Sequence, residues 1–423
     1  MRHSITLLLF LFGFHLSAQN FSERKISRML NKIEAFNKAH VAISIAALKN
    51  SKPIAKYQAD HFMTPASNIK LLTFLAAIEN FDSLPALYYR DQDSITHFKS
   101  TGYPLLLHPL YPDIELISFL KQKQSLVYHK PKAKIKSQGS GWSWDDYSYY
   151  YAAETSPFPI FGNSVQGFGD PNSPEFIPSS FETLSTQDTL AQNFKRERFK
   201  NRFHYNPKKW NIGDTLYRPF ITSNNIFVGL LKDHLNLPVH LSNDSKSFEW
   251  KLLYTHQEEL LYKALLQDSD NGVAEALLAM VSQKQFDEMN IQRTIDTLKV
   301  QWKEWLPDPL EWTDGSGVSR YNMITPRSVI EVLKKIYSKV GLDTIKNYFP
   351  QSGRSGTIKK YDLKNVYAKT GTLRHNLNLS GYWVSPSGEI YVFSVMVNHF
   401  TTSTAEVREA ISLLLRQIQK KLK

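Results

Sequence analysis

Two stretches of regular periodicity, one toward each end of the chain, are separated by a long middle of different texture. Toward the front, residues 21–39 place Ile26, Leu30, Ile33 and Phe36 at helical spacing. Residues 41–48 and 53–57 then flank Asn50-Ser51-Lys52 as a β-hairpin, and a helix begins near Pro65 and runs through Leu71, Leu72, Leu75 and Ile78. Toward the back, helical spacing returns at 258–266, 273–280 and 328–340. Residues 366–398 read as three strands, the last two joined by Ser385-Pro386-Ser387-Gly388. The final residues put Val407, Ile411, Leu414, Ile418 and Leu422 on one helical stripe. Between about 85 and 250 the chain turns to short strand-like runs, many aromatics, and loops rich in Pro, Gly, Ser and Asn. Both ends need a partner for their apolar faces. The pattern predicts one α/β (α+β) domain built from 19–84 and 251–423, with 85–250 inserted into it, and with the terminal helices packed together on one sheet.

Residues 1–18 are read as no part of that fold. Arg2 and His3 precede an apolar run, 5–14, too short to span a membrane, and Leu16-Ser17-Ala18 suits cleavage before Gln19. This is the form of a secretory signal peptide, and it predicts an exported protein, periplasmic or extracellular. No cysteine follows the cleavage point, so no lipid anchor is expected there. With 423 residues, 42 % hydrophobic and 21 % charged, the chain is long enough for a full core and excludes disorder or a polytopic membrane protein. The absence of cysteine excludes disulfide frameworks, thiolate metal sites and a Cys nucleophile. The excess of 51 basic over 39 acidic residues, net +12, favours an acidic surface or polymer as partner. The basic residues read as scattered, with no aromatic-interleaved block, which argues against nucleic acid. Lys420, Lys421 and Lys423 read as a solvated helix end, peripheral association with membrane or murein being the alternative.

Three short elements carry chemistry. In Ser67-Asn68-Ile69-Lys70 the serine and lysine share a helical face, so the amine can reach the hydroxyl, and a first-turn serine feels the positive end of the helix. Ser22…Lys25 and Ser118…Lys121 repeat that spacing but lack the preceding hairpin. Ser269-Asp270-Asn271 lies in a break between helical segments and offers a hydroxyl to pass a proton and an amide to hold a substrate amide. Ser223-Asn224-Asn225 is a rival in a less defined setting. Lys369-Thr370-Gly371 begins a strand. Gly371 would let a substrate backbone pair with the strand edge, Lys369 brings positive charge, and Thr370 brings a hydroxyl for a carboxylate.

In this order the three elements are the S-x-x-K, S-x-N, K-T-G set of the penicillin-recognising serine enzymes. The chain resembles the class C low-molecular-mass penicillin-binding proteins, the D-alanyl-D-alanine carboxypeptidase/endopeptidases, whose extra domains are inserted between the first two motifs. Gly141-Trp142-Ser143-Trp144-Asp145-Asp146, Asp314-Gly315-Ser316-Gly317-Val318-Ser319-Arg320, and Lys369–Leu373 closing on Gly381-Tyr382 also agree. Two departures stand out. Tyr103–Pro112 reads YPLLLHPLYP where the family has a glycine-rich stretch, and Arg374 stands where smaller polar residues are common.

The resemblance implies a β-lactamase/transpeptidase-like antiparallel sheet with helices on both faces, interrupted by a largely β region. It implies a serine-type D-Ala-D-Ala carboxypeptidase acting on peptidoglycan stem peptides, with β-lactams as covalent inhibitors and neither metal nor cofactor. Ser67 would be the nucleophile and Lys70 its base, which burial and a nearby cation such as Lys369 would keep neutral. The backbone N–H groups of Ser67 and Thr372 would form the oxyanion site, Ser269 would relay a proton, and Asn271 would hold the acyl chain. Asp146 and Tyr151, with Arg320 from the other side, would line a subsite for the dibasic stem residue. The alternatives are a β-lactamase or esterase of the same superfamily, and a catalytically silent murein-binding module.

Overall fold

The structure is a computed structural model that describes residues 21–50, 52–243 and 248–422; the expected signal peptide lies outside the described residues. Its central sheet has five strands: β1 (His40–Ala47), β2 (Pro53–Tyr57), β3 (Val366–Leu373), β4 (Asn376–Val384) and β5 (Ile390–Asn398). They lie in the order β3-β4-β5-β1-β2, antiparallel throughout. β3 is therefore an edge; its first residues bond to Pro350 and Ser352, and the outer side from Lys369 onward has no strand beside it among the described residues.

Near-continuous apolar runs such as β1 (HVAISIAA) are what a sheet covered on both faces needs. Alternate residues divide between two cores. Val41, Ile43, Ile45, Leu377, Leu379, Val395 and Val397 face α1 (Glu23–Leu30) and the C-terminal helix Thr404–Gln419. Ala42, Ala46, Tyr382, Val392 and Met396 face the opposite layer, which holds α2 (Lys70–Asn80), α3 (Asn271–Phe286) and α4 (Pro326–Tyr348). The predicted C-terminal stripe is buried as expected: Val407, Ile411, Leu414 and Ile418 are fully inaccessible. Each such side chain supplies about 1.5–3 kcal/mol of burial, enough to fasten both ends of the chain to one sheet face.

The N-terminal helix is shorter than its periodicity suggests. It stops at Leu30, capped by Asn31, and Ile33 and Phe36 reach the same core from a separate 3₁₀ turn, Glu34–Phe36. The middle of the chain builds three further sheets and two helices, Ile114–Lys121 and Asn224–Leu235. The largest of these sheets is five-stranded, and Leu84–Gln92 pairs there with Lys251–Thr255, so Leu84 lies opposite Thr255. Leu84 and Lys251–Thr255, expected in the central domain, are thus strand residues of this second sheet, and the two ends of the middle segment lie side by side. Ser223, the rival to Ser269, is simply the N-cap of Asn224–Leu235, its hydroxyl accepting from Ile226 N–H.

Candidate active site

Ser67 does not open a regular α-helix. It sits in a 3₁₀ turn, Ala66–Ile69, and α2 begins at Lys70. Ala66 is left-handed at φ 49°, a strained conformation for a residue with a side chain. The turn is held from three sides. Asn378 on β4 donates to the carbonyls of Thr64 and Pro65 at 2.9 and 2.8 Å. Gly371 on β3 comes so close that a Cβ there would lie 2.1 Å from Pro65 O, and a Cβ on Gly317 would lie 2.0 Å from Ala66 O. Both glycines exist to let backbone approach backbone. For Gly371 this is a different reason from the one its place in the motif suggests.

Lys70 is wholly buried, with Nζ 3.2 Å from Ser67 Oγ, 2.5 Å from Asn271 Oδ1 and 2.6 Å from Ser316 O. Burial brings its pKa down to about 8, against the upward pull of Asp314, Asp270 and Glu275. A neutral amine has two N–H donors and one lone pair. The two short contacts, to Asn271 and Ser316, take the donors, so the lone pair is left facing Ser67.

Lys369 on β3 is also fully buried and donates to Ser269 Oγ at 2.8 Å and to Thr370 O at 2.9 Å. Burial first, and the Lys70 charge second, push its pKa well below the ordinary lysine value. Ser269 is left-handed at φ 61°, which turns its hydroxyl out of the α3 cap formed by Asp270, whose side chain accepts from Val273 N–H. Thr370 is fixed by a 2.7 Å hydrogen bond to Thr357 Oγ1, a partner no motif announced. Thr372 and Arg374 are exposed along the free edge of β3, Thr372 lying in register with Leu377.

A buried acidic layer lies under the lysine. Asp314 accepts from the N–H groups of Gly317 (2.8 Å) and Ser319 (2.6 Å), from Asn322 Nδ2 (2.7 Å) and from Trp142 Nε1 (2.8 Å). Glu275, from α3, accepts from Gly315 and Ser316 N–H. Burial and the Asp314 charge raise its pKa. These carboxylates fold the loop whose Ser316 carbonyl meets Lys70. The sequence assigns a role in this stretch only to Arg320; the G-S-G core, residues 315–317, is the signal for the tight buried loop.

The middle of the chain reaches the site through several hydrogen bonds. Asn271 Nδ2 donates to Tyr151 O at 2.7 Å, and Trp142 donates to Asp314. Tyr151 OH in turn donates to Asp146 Oδ1 at 2.9 Å, so these two expected subsite residues meet. Arg320 is exposed, and its backbone N–H donates to Gly141 O, beside the same loop. Trp144 points outward, 64 % exposed, so only Trp142 of the tryptophan pair is structural. The YPLLLHPLYP stretch packs on the Ser269 loop: Tyr111 OH bonds the Asp268 carboxylate, and His108 Nε2 lies 3.4 Å from Asp270 Oδ2.

Residues 22–85 and 249–418, together more than half of the chain, match the D-Ala-D-Ala carboxypeptidase 3 (S13) family. The D-alanyl-D-alanine carboxypeptidase DacB of Haemophilus influenzae is 24 % identical over 94 % of this chain and 93 % of its own length. A D-alanyl-D-alanine carboxypeptidase of Actinomadura is 33 % identical over a quarter of this chain and 21 % of its own. In three dimensions the crystal structure of penicillin binding protein 4 (dacB) from Haemophilus influenzae superposes with a TM-score of 0.73, at 19 % identity, over 93 % of this chain and 99 % of that one. The same protein complexed with a β-lactam gives 0.70 over the same shares, at 18 % identity.

Proposed function

From the premise that the chain belongs to the D-Ala-D-Ala carboxypeptidase 3 (S13) family, and is a serine-type D-Ala-D-Ala carboxypeptidase, we propose how its residues divide the work. Ser67 Oγ attacks the carbonyl between the two D-alanines while its proton passes to Lys70 Nζ. The new C–O bond leaves a tetrahedral oxyanion, held by the backbone N–H groups of Ser67 and Thr372. Such donors contribute about 3–4 kcal/mol each in acyl transfer. Collapse breaks the C–N bond. With Lys369 donating to its oxygen, the Ser269 hydroxyl gives its proton to the departing amine and takes in exchange the proton that Lys70 received from Ser67, and water then releases the acyl group by the reverse traffic. Asn271 spends Oδ1 on Lys70 and one N–H on Tyr151, and its second N–H holds the acyl chain. Gly371 keeps β3 close to the nucleophile, and the β3 edge pairs with the substrate backbone. Thr370 meets the terminal carboxylate.

The single observation that carries this reading is the buried Lys70 amine, 3.2 Å from Ser67 Oγ with its other donors occupied. The β-lactam complex of the Haemophilus influenzae protein supports penicillin as a covalent inhibitor. Asp146, Tyr151 and Arg320 we assign to the side chain of a dibasic stem residue, Asp146 facing its amine. The leader-like residues 1–18 support export to a periplasmic or extracellular site. Among the described residues no helix is long and apolar enough to cross a membrane. The near-adjacent ends at Leu84 and Thr255 support reading 85–250 as an insertion.

One gel tests the core of it. Purified protein incubated with fluorescent penicillin should give a covalent band that disappears in Ser67→Ala. An unlabelled wild type sinks the assignment.

A further inference from the structure

The basic residues that look scattered along the sequence are partly gathered by the fold. Strand Phe194–Arg196 and the turn after it, reading KRERFK over 195–200, line a cleft of about 560 Å³ together with Tyr147, whose ring packs on Arg196. Among the described residues Lys195, Arg198 and Lys200 make no ion pair, whereas Glu197 is taken by Arg202 and His204. Asp188, also in the wall, spends one oxygen on Leu190 N–H. The fold needs only one cation here. Arg196 is buried and donates to the carbonyls of Pro219, Glu197 and Arg198. Arg198 and Lys200 are surplus to that framework.

Flat apolar faces accompany the charge. The Arg198 guanidinium lies 4.5 Å from the Trp144 ring centroid and 5.1 Å from that of Phe199, itself 80 % exposed. Trp144 begins the 3₁₀ turn Trp144–Ser148, the same turn that holds Asp146 against Tyr151, whose carbonyl receives Asn271. The Trp144–Ser148 turn therefore lies between the cleft, which it meets through the Trp144–Arg198 ring contact, and the hydrogen bonds that run from Asp146 through Tyr151 and Asn271 to Lys70.

We propose that this cleft binds the substrate polymer beyond the reacting stem, taking the carboxylates of neighbouring stem peptides on Arg198, Lys200 and Lys195 and sugar rings on Trp144 and Phe199. This rests on the peptidoglycan reading of the site and adds a second, non-catalytic contact. Carboxylate-bearing peptides on a glycan complement both features of the cleft, and a net charge of +12 steers the same polymer inward.

The test is Arg198→Glu/Lys200→Glu in the full chain, with Arg198→Lys as the conservative control. D-Ala release from intact purified sacculi should fall about tenfold, the scale on which steering by surface charge acts. Co-sedimentation with sacculi should fall with it, and Arg198→Lys should retain both. Turnover of a synthetic acyl-D-Ala-D-Ala tripeptide and labelling by fluorescent penicillin should stay within about twofold of wild type, since neither probe carries the polymer charges that the cleft attracts. The wild-type advantage on sacculi should vanish between about 0.1 and 1 M salt, as the screening length contracts from about 10 to 3 Å. Equal activity of wild type and variant on sacculi overturns the proposal. So does an equal loss on the tripeptide, which would make the cleft part of the reacting site. A fluorescent oligonucleotide that binds more tightly than sacculi and loses binding in the variant would reassign the cleft to nucleic acid. Persistent penicillin labelling throughout keeps these failures distinct from failure of the enzyme assignment.

Discussion

The acylation rate should climb with pH and level off near the pKa of Lys70, and the structure supplies the numbers. An ordinary lysine titrates at 10.5; burial brings this one to about 8, a displacement of about 3 kcal/mol in favour of the neutral amine. Only the neutral form has a lone pair for the Ser67 proton. That form is about 1 % of the enzyme at pH 6, about 9 % at pH 7, half at pH 8 and about 90 % at pH 9. Raising the pH therefore increases the active species, and between pH 6 and 8 the rate of labelling by fluorescent penicillin should rise about fiftyfold before flattening. Stopped-time gels at subsaturating label measure it, with far-ultraviolet circular dichroism confirming the fold across the range. The competing bases predict other curves. A buried carboxylate such as Glu275, raised to about 7, would be at half its plateau at pH 7 and nearly level by about pH 8, and an unburied lysine would still be climbing at pH 10. A rate flat from pH 6 to 9 would refute Lys70 as the base.

Lys70→Arg should abolish labelling while keeping the charge, because a guanidinium does not surrender its proton at working pH; labelling at the wild-type rate would require another base. Gly371→Ala should reduce acylation by about a hundredfold, since a Cβ 2.1 Å from Pro65 O forces β3 or the Ser67 turn to shift by the order of an ångström; a calorimetric Tm should fall with it. Asp146→Ala should lower kcat/KM on diaminopimelate-containing muropeptides by about ten- to a hundredfold, the worth of a charge-assisted hydrogen bond, and leave penicillin labelling nearly intact; equal losses on both would mean that Asp146 supports the fold.

Local spacing made the candidate catalytic elements legible because each is a short-range arrangement: three residues from Ser67 to Lys70, one strand for Lys369 and Thr370. The two decoys fail in the structure for local reasons as well. Ser22 caps α1, and Ser118 and Lys121 lie on a solvent-facing helix side. What could not be read is whatever depends on a distant segment. Asn378 holds a turn more than three hundred residues earlier, Gly317 makes room for Ala66, and Thr357 fixes Thr370. The break in the N-terminal helix was hidden because Ile33 and Phe36 reach the same core from a 3₁₀ turn as they would from a continued helix. The basic cleft was hidden because Trp144 and Arg198 meet only through tertiary structure.

The insertion can be long without loosening the site because of where its ends lie. Leu84 and Thr255 face each other in a strand pair, so the cost of closing the long loop is met by the insertion's own sheet rather than by the catalytic domain. Of its hydrogen bonds to the site, two bear on Lys70: Asn271 donates to Tyr151 O, and Trp142 donates to Asp314. Each ends on a residue that also shapes the Lys70 environment, Asn271 directly and Asp314 through the loop bearing Ser316. Deleting the insertion would leave an amide donor and a buried carboxylate oxygen each short of a partner, at about 1–3 kcal/mol apiece, beside the one amine whose neutrality the reaction needs. Residues 85–250 thus brace the Lys70 pocket from outside, through Tyr151 on Asn271 and Trp142 on Asp314.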